Sequence, residues 1–250
     1  MIFIDLETRG KEERQPGDTV KSHHSLDDIP LVKSVLKNAQ LMVRVNSLWE
    51  NSKYEIDTAI NNGADIIMLP YFKTASEVKR FIEIVDKRAK VMLLCETKDA
   101  VENIDEILKI DGIDRIHIGL NDLHLCYGLS FMFELLTNGV VRNLCDKFKT
   151  KNIPYGFGGI ARIGEGAIPA ETVLTEHKRL GSDAVILSRT FCNCEKITDL
   201  DEIRTIFESG IKELRRYEKT IETFDDEKFK TNYFELSEKI KEVVKERETV

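Results

Sequence analysis

The chain has 250 residues, 42% hydrophobic and 32% charged, with a net charge of -7 and a pI near 5.4. That is enough apolar sequence to bury one large core, and an acidic chain without a basic stripe and interleaved aromatics argues against nucleic acid as a partner. No apolar run reaches membrane-spanning length and the N-terminus lacks a signal-peptide layout, so the expectation is no membrane partner and a cytoplasmic location.

The first strand is MIFIDL at 1–6, followed by a polar loop with Gly10, Pro16 and Gly17 and bearing the acids Asp5 and Glu7. Asp27 or Asp28 is placed to cap a helix through Leu31, Val32, Val35 and Leu36, with Pro30 in its first turn, where a missing N–H is harmless. LMVRVN at 41–46 is an apolar strand whose fourth residue is Arg44. A helix over 49–61 is closed by Asn62-Gly63, and Gly63 suits the left-handed position after a helix. DIIMLP at 65–70 is a strand ended by Pro70, and a helix over 75–87 leads to VMLLCET at 91–97, which finishes on Glu96. Residues 98–109 read as a helix with Ala100, Val101, Ile104, Ile107 and Leu108 on one face, and RIHIGLNDL at 115–123 finishes on Asp122. Residues 128–150 are mostly helical, NIPYGFGG at 152–159 carries a strand, 170–180 is a helix stopped by Gly181, and DAVILSR at 183–189 is the last clear strand.

Seven strands, at 2–5, 41–45, 65–69, 91–95, 115–119, 154–158 and 183–187, are thus each joined to the next by helical sequence. Strict alternation implies an α/β fold with a parallel sheet and right-handed crossovers. A TIM-type (β/α) barrel fits better than a doubly wound sheet, because functional-looking residues sit at nearly every strand end rather than at one switch point. An eighth strand is either hidden or absent. The barrel is expected over 1–198 and a C-terminal helical extension over 199–250, with helices at 200–223 and 226–248. Ile203, Ile206, Phe207, Ile211, Leu214 and Tyr217 form an apolar stripe on the first, to be buried on the barrel or on a neighbouring subunit, so a homo-oligomer is expected.

Glu96 and Asp122 each follow an apolar run at once, the pattern of parallel strands delivering carboxylates to a shared C-terminal rim. Two hard oxygen ligands with room for water and substrate suit octahedral Mg²⁺ or Mn²⁺. The alternative is that the two acids cap helices or pair with arginines. Five cysteines, Cys95, Cys126, Cys145, Cys192 and Cys194, lack zinc-type paired spacing and read as reduced core or loop thiols.

The strand ends FIDLE, MVRVN, DIIMLP, LLCET and IHIGLNDL, in that order over about residues 3–189, resemble the HpcH/HpaI aldolase and citrate lyase β-subunit family of the phosphoenolpyruvate/pyruvate superfamily. The resemblance implies an eight-stranded barrel that binds Mg²⁺ or Mn²⁺ and makes or breaks carbon–carbon bonds through an enolate. Glu96 and Asp122 fall on the family's metal ligands, and Arg44 on the arginine that steadies the enolate oxygen. A barrel-interior ion pair of Arg44 with Asp5 or Glu7 is the other reading, and both can hold. HHSLDDI at 23–29 resembles the aldolase branch's Glu-His-x-x-x-Asp-Leu loop, which makes His24 rather than His23 the proton-transferring histidine and Asp28 its orienting acid. Here residues 8–22 intervene between strand and loop, and FIDLE with Lys11 and Arg14 looks more like the citrate lyase branch.

Asn46 and His124 are expected to line the mouth, whereas His117 and His177 read as structural. GFGGIARIGEGAIPAE at 156–171 is a glycine-rich strand end and loop feeding a helix, either a substrate-anion site with Arg162 and Glu171 or a tight turn, and Arg189 faces the same choice. The implied activity is a metal-dependent aldolase or lyase for a small 2-oxo acid. An acyl-CoA lyase or synthase of citryl or malyl type is the alternative within the family, and a non-catalytic barrel subunit the alternative outside it.

Overall fold

Short apolar runs become strands where the chain leads one to expect them: β1 (Ile2–Asp5), β2 (Leu41–Arg44), β3 (Ile66–Leu69), β4 (Lys90–Cys95), β5 (Arg115–Ile118), β6 (Tyr155–Ile160) and β7 (Ala184–Leu187). The computed structural model describes residues 1–11, 24–194 and 196–248, so His23, Arg14 and most of the rim loop 8–22 lie outside the described residues. Parallel strands alternating with helices in chain order make this an α/β fold of the TIM type. No eighth strand follows β7 among the described residues. The chain divides into two compact units, Met1–Tyr127 with Asp146–Pro154, and Gly128–Cys145 with Tyr155–Val250.

In the first unit β1 to β5 pair in sequence order, with Asp5 opposite Arg44, Arg44 opposite Met68, Met68 opposite Met92 and Leu94 opposite His117. Strand side chains alternate between faces, so this register sorts the unit. One face carries Phe3, Met42, Ile66, Met68, Met92 and Leu94 in a single apolar cluster, and the same parity continues at the strand ends into Asp5, Arg44 and Glu96. The opposite face, with Ile4, Val43, Ile67, Leu93 and Ile116, is fully buried. Its cover comes from apolar stripes on α1 (Asp28–Val35), α2 (Ser52–Asn61) and α3 (Ala75–Val85), where Ile29, Ile56, Ala59, Val78, Phe81 and Val85 are buried.

Local chemistry sets the boundaries. Thr74 and Glu77 form a capping box that opens α3. The helix expected over 98–109 is broken into α4 (Lys98–Glu102) and α5 (Ile104–Ile107). Asn103 at the break has φ -92° and ψ 6°, and its side-chain amide donates to the carbonyls of Lys73 and Asp99, so a competing polar bond replaces helical continuity. After β5 the chain turns at once into α6 (Leu120–Cys126), which puts Asp122 in a helix first turn rather than at the end of a strand.

The second unit holds α7 (Glu134–Thr137), β6 paired in parallel with β7, α9 (Ala170–Leu180), α10 (Leu200–Ile221) and α11 (Asp226–Glu248), while α8 (Val140–Thr150) contributes residues to both units. Gly181, at φ 74°, ends α9 in the left-handed conformation that a Cβ disfavours. Helix α11 lies on α9: Asn232 Nδ2 donates to the Thr172 carbonyl (3.1 Å), and the Arg179 guanidinium stacks on Tyr233 at 4.7 Å. Leu236 and Ile240 are buried in that contact face, and Arg247 donates to the Ser130 carbonyl (2.7 Å). No helix among the described residues is long and apolar enough to cross a membrane.

This packing makes Leu236 the anchor of α11. Leu236→Ala is expected to cost about 2–5 kcal/mol, whereas Glu235→Ala on the exposed side should stay within about 0.5 kcal/mol. Urea unfolding of the two variants checks the difference.

Candidate functional site

Arg44 closes β2 with its side chain on the face that Asp5 shares. The two meet as a fork: Arg44 Nε donates to Asp5 Oδ1 (2.8 Å) and a terminal nitrogen to Asp5 Oδ2 (2.7 Å). Lys11 Nζ donates to the same Oδ2 (2.8 Å), and Glu7 Oε2 stands 3.4 Å from the other guanidinium nitrogen. Burial by itself would raise the Asp5 carboxyl, but the hydrogen bonds and charges of Arg44 and Lys11 more than offset it and hold the group at about 2. Burial likewise works against the Arg44 cation. Its bonds to Asp5 and the charges of Asp5, Glu7 and Glu96 outweigh that and keep it protonated, so Glu96 lies within electrostatic reach of the guanidinium.

Glu96 stands one residue past β4 and is 2% exposed; Asp122, on α6 after the neighbouring β5, is 6% exposed. Gly119 makes room for Glu96. A Cβ there would lie 2.8 Å from both the Cβ and Oε2 of Glu96, so the absence of a side chain at the end of β5 admits a buried carboxylate. The Tyr71 N–H donates to Glu96 Oε1 (3.1 Å), and Cys126 Sγ, on α6, lies 3.8 Å from the Glu96 carbonyl. Among the described residues no group of three or more His, Cys, Asp or Glu is arranged to hold a metal. Carboxylate oxygens are the donor type that would suit a hard cation drawing its other ligands from water and substrate. Cys95, just before Glu96, is pushed up to about 12 by burial and then by the charge of Glu96, so its thiol stays neutral; all five cysteines are free.

His24 reaches the same strand end: its Nδ1 accepts the Asp5 N–H (3.1 Å), which in the neutral ring assigns the proton to Nε2. Asp28 binds the N–H and hydroxyl of Ser25 (2.7 and 3.0 Å). Those two bonds chiefly, with a smaller effect of the His24 charge, lower its carboxyl below the usual range. His124 Nδ1 faces the Leu120 carbonyl (3.2 Å) one turn back in α6. Asn46 is buried, and its amide is taken up by the loop after β1 and by Glu55. Gly119 lies in the IHIGLNDL stretch but nothing there gives it a role, and Glu55 and Trp49 belong to no motif; the close approach at Gly119 and the hydrogen bonds of Glu55 reveal them.

Arg162, Glu171 and Arg189 belong to the second unit. Both Glu171 carboxylate oxygens accept the Gly164 N–H (2.9 and 3.0 Å), and Gly164 and Gly166 take φ of 80° and 101°, so Glu171 holds the glycine-rich loop in shape. Arg162 forms a two-bond pair with Glu165 (2.6 and 3.2 Å) on a surface open enough for solvent or an anion to compete. Arg189 is exposed in the turn after β7.

The sequence pattern of the HpcH/HpaI aldolase/citrate lyase family matches residues 2–131. A hydroxypyruvate/pyruvate aldolase of Rhizorhabdus wittichii is 35% identical over 79 residues, a match that spans 29% of this chain and 32% of that protein. The chain thus aligns with about a third of that relative's length. Among solved structures, an HpcH/HpaI aldolase/citrate lyase family protein of Burkholderia cenocepacia superposes with a TM-score of 0.61 at 13% identity, covering 81% of this chain and 84% of the other. An HpcH/HpaI aldolase of Desulfitobacterium hafniense gives 0.56 at 17% identity, with 82% of each chain covered. At such identities the likeness is one of fold.

The Asp5 network has a definite pH signature. Its folded carboxyl, at about 2, lies below the ordinary 3.8, so the stabilisation, about 2 kcal/mol, is complete above pH 3.8 and disappears as pH falls from there toward 2. Denaturant melts between pH 7 and pH 2 should show the advantage of wild type over Asp5→Asn shrinking across that window. A difference that does not change with pH contradicts the assignment.

Proposed function

The chain belongs to the HpcH/HpaI aldolase/citrate lyase family, and from that membership we propose that it is a divalent-metal-dependent carbon–carbon lyase or aldolase acting on a small 2-oxo acid. The observation that carries the reading is a buried carboxylate, Glu96, and a largely covered, doubly held guanidinium, Arg44, on one face of the same parallel sheet. Glu96 and Asp122 would hold Mg²⁺ or Mn²⁺, which supplies Lewis-acid polarisation of a 2-oxo acid carbonyl.

The remaining work falls to the chain's own groups. Asp5, Glu7 and Lys11 fix Arg44 before substrate arrives, so the guanidinium meets negative charge growing on the substrate oxygen without reorganising. The Tyr71 N–H orients one Glu96 oxygen. His24, with Nδ1 tied to the Asp5 backbone, is the residue placed to give and take the reaction's proton. The aldolase name of the Rhizorhabdus relative favours 2-oxo acid over acyl-CoA chemistry.

Incubation with pyruvate and Mn²⁺ in deuterated water is expected to exchange the methyl protons, followed by NMR, and Glu96→Gln and Asp122→Asn should abolish both exchange and calorimetric Mn²⁺ binding. Full Mn²⁺ affinity in both variants would sink the proposal. Self-association belongs to the same reading: Leu200, Ile211 and Phe234 on α10 and α11 are exposed apolar residues. Light scattering at micromolar concentration should give a dimer or larger species that Phe234→Asp weakens, and a monomeric wild type would remove this part.

A further inference from the structure

One cation at the strand ends is held in place by more structure than the proposed chemistry uses. Past β1 the chain stays beside the end of β2: the Leu6 N–H donates to the Arg44 carbonyl (2.9 Å), then the N–H groups of Thr8 and Arg9 both donate to Asn46 Oδ1 (2.9 and 3.0 Å). Asn46 is itself fixed, its N–H and Nδ2 donating to Glu55 Oε1 (3.1 and 2.8 Å) and Nδ2 also to the Leu6 carbonyl (3.3 Å). The other oxygen of Glu55 accepts the Trp49 indole N–H (3.1 Å), and the face of that indole lies 4.5 Å from the Arg9 guanidinium. A single buried carboxylate therefore holds both the residue that anchors the Arg9 backbone and the ring that carries its side chain.

Arg9 itself is exposed. Stacking engages the flat face of a guanidinium and leaves its in-plane N–H donors for a planar or tetrahedral anion. Pinning the side chain in advance removes part of the rotamer entropy that an arginine loses on binding. In a chain with a net charge of -7, Arg9 adds a cation two residues past Glu7 at the end where Lys11 and Arg44 are already paired with Asp5.

We propose that Arg9 is an anion subsite, taking a carboxylate or phosphate on the part of the substrate remote from the 2-oxo acid. Calling its ligand a substrate rests on the lyase reading above; the binding itself does not. An arginine fork pairs with either anion through two parallel bonds.

Trp49 is the only tryptophan of the chain, so intrinsic fluorescence reports on the ring beneath Arg9. Titration of the full chain with succinate in one arm and inorganic phosphate in the other should give a saturable change in at least one, and the tighter arm identifies the anion class. Arg9→Ala should weaken that binding about 10–100-fold, with Arg9→Lys between the two, as expected for losing a charge-assisted pair. Glu55→Gln, which keeps the cation but loosens its support, should weaken binding less than Arg9→Ala. Calorimetric Mn²⁺ affinity should be the same in wild type and Arg9→Ala. No saturable change with either anion, or equal dissociation constants for wild type and Arg9→Ala, overturns the subsite. Methyl-proton exchange without anion binding defeats the subsite alone, and anion binding without exchange defeats the lyase reading alone.

Discussion

A guanidinium taken out of water at the end of a parallel strand has to be met by carboxylates, and the first unit is arranged around meeting it at Arg44. Removing one partner of a buried pair leaves an uncompensated charge and costs about 3–5 kcal/mol, far more than an exposed pair contributes. Asp5 supplies the partner because β1 and β2 are in register with Asp5 opposite Arg44. Lys11 and Glu7 then balance the charges around that pair. The same Asp5 holds His24 through its backbone N–H, so one strand end carries the ion pair and positions the histidine.

Strand parity does the rest of the sorting. Methionines and Phe3 fill the lower part of the face that ends in Asp5, Arg44 and Glu96, which keeps the charged groups over an apolar floor. A floor of that kind lowers the local dielectric and strengthens every charge interaction above it. Glu96 is admitted by Gly119, whose missing side chain on the adjacent strand end is what leaves the carboxylate its place. The acid and the glycine are a matched pair from neighbouring β/α units, and neither has meaning alone.

Asn46 shows how a polar residue at a rim can serve the chain before it serves a ligand. Its oxygen and nitrogen are bonded within the protein, to the loop after β1 and to Glu55, so what it contributes is the shape of that loop. Glu171 does the equivalent for the glycine-rich loop of the second unit, where it caps Gly164 while Arg162 pairs with Glu165. In both places a buried or half-buried side chain fixes backbone beside an arginine, exposed at Arg9 and half-buried in its pair with Glu165 at Arg162.

Apolar runs of four to six residues separated by amphipathic stretches were enough to place all seven strands to within two residues at their ends, because a buried parallel strand must be apolar on both faces and leaves little freedom in where it begins. The order of acids and arginine at those ends was legible for the same reason, and so was the family. Partners were not. The amide of Asn103 marks the break in a helix through a local bond to Asp99 and one to Lys73, 30 residues away, that only the fold brings near, and Asp122 sits in a helix first turn because the chain bends at Gly119, a residue whose spacing looked like strand. The fork of Arg44 on Asp5, the clamp of Glu55 on Asn46 and Trp49, and the approach of Glu96 to Gly119 join residues 6 to 39 positions apart. Periodicity reports which face of an element is buried; it carries no information on which element lies opposite, and that is decided only when the strands take up their register.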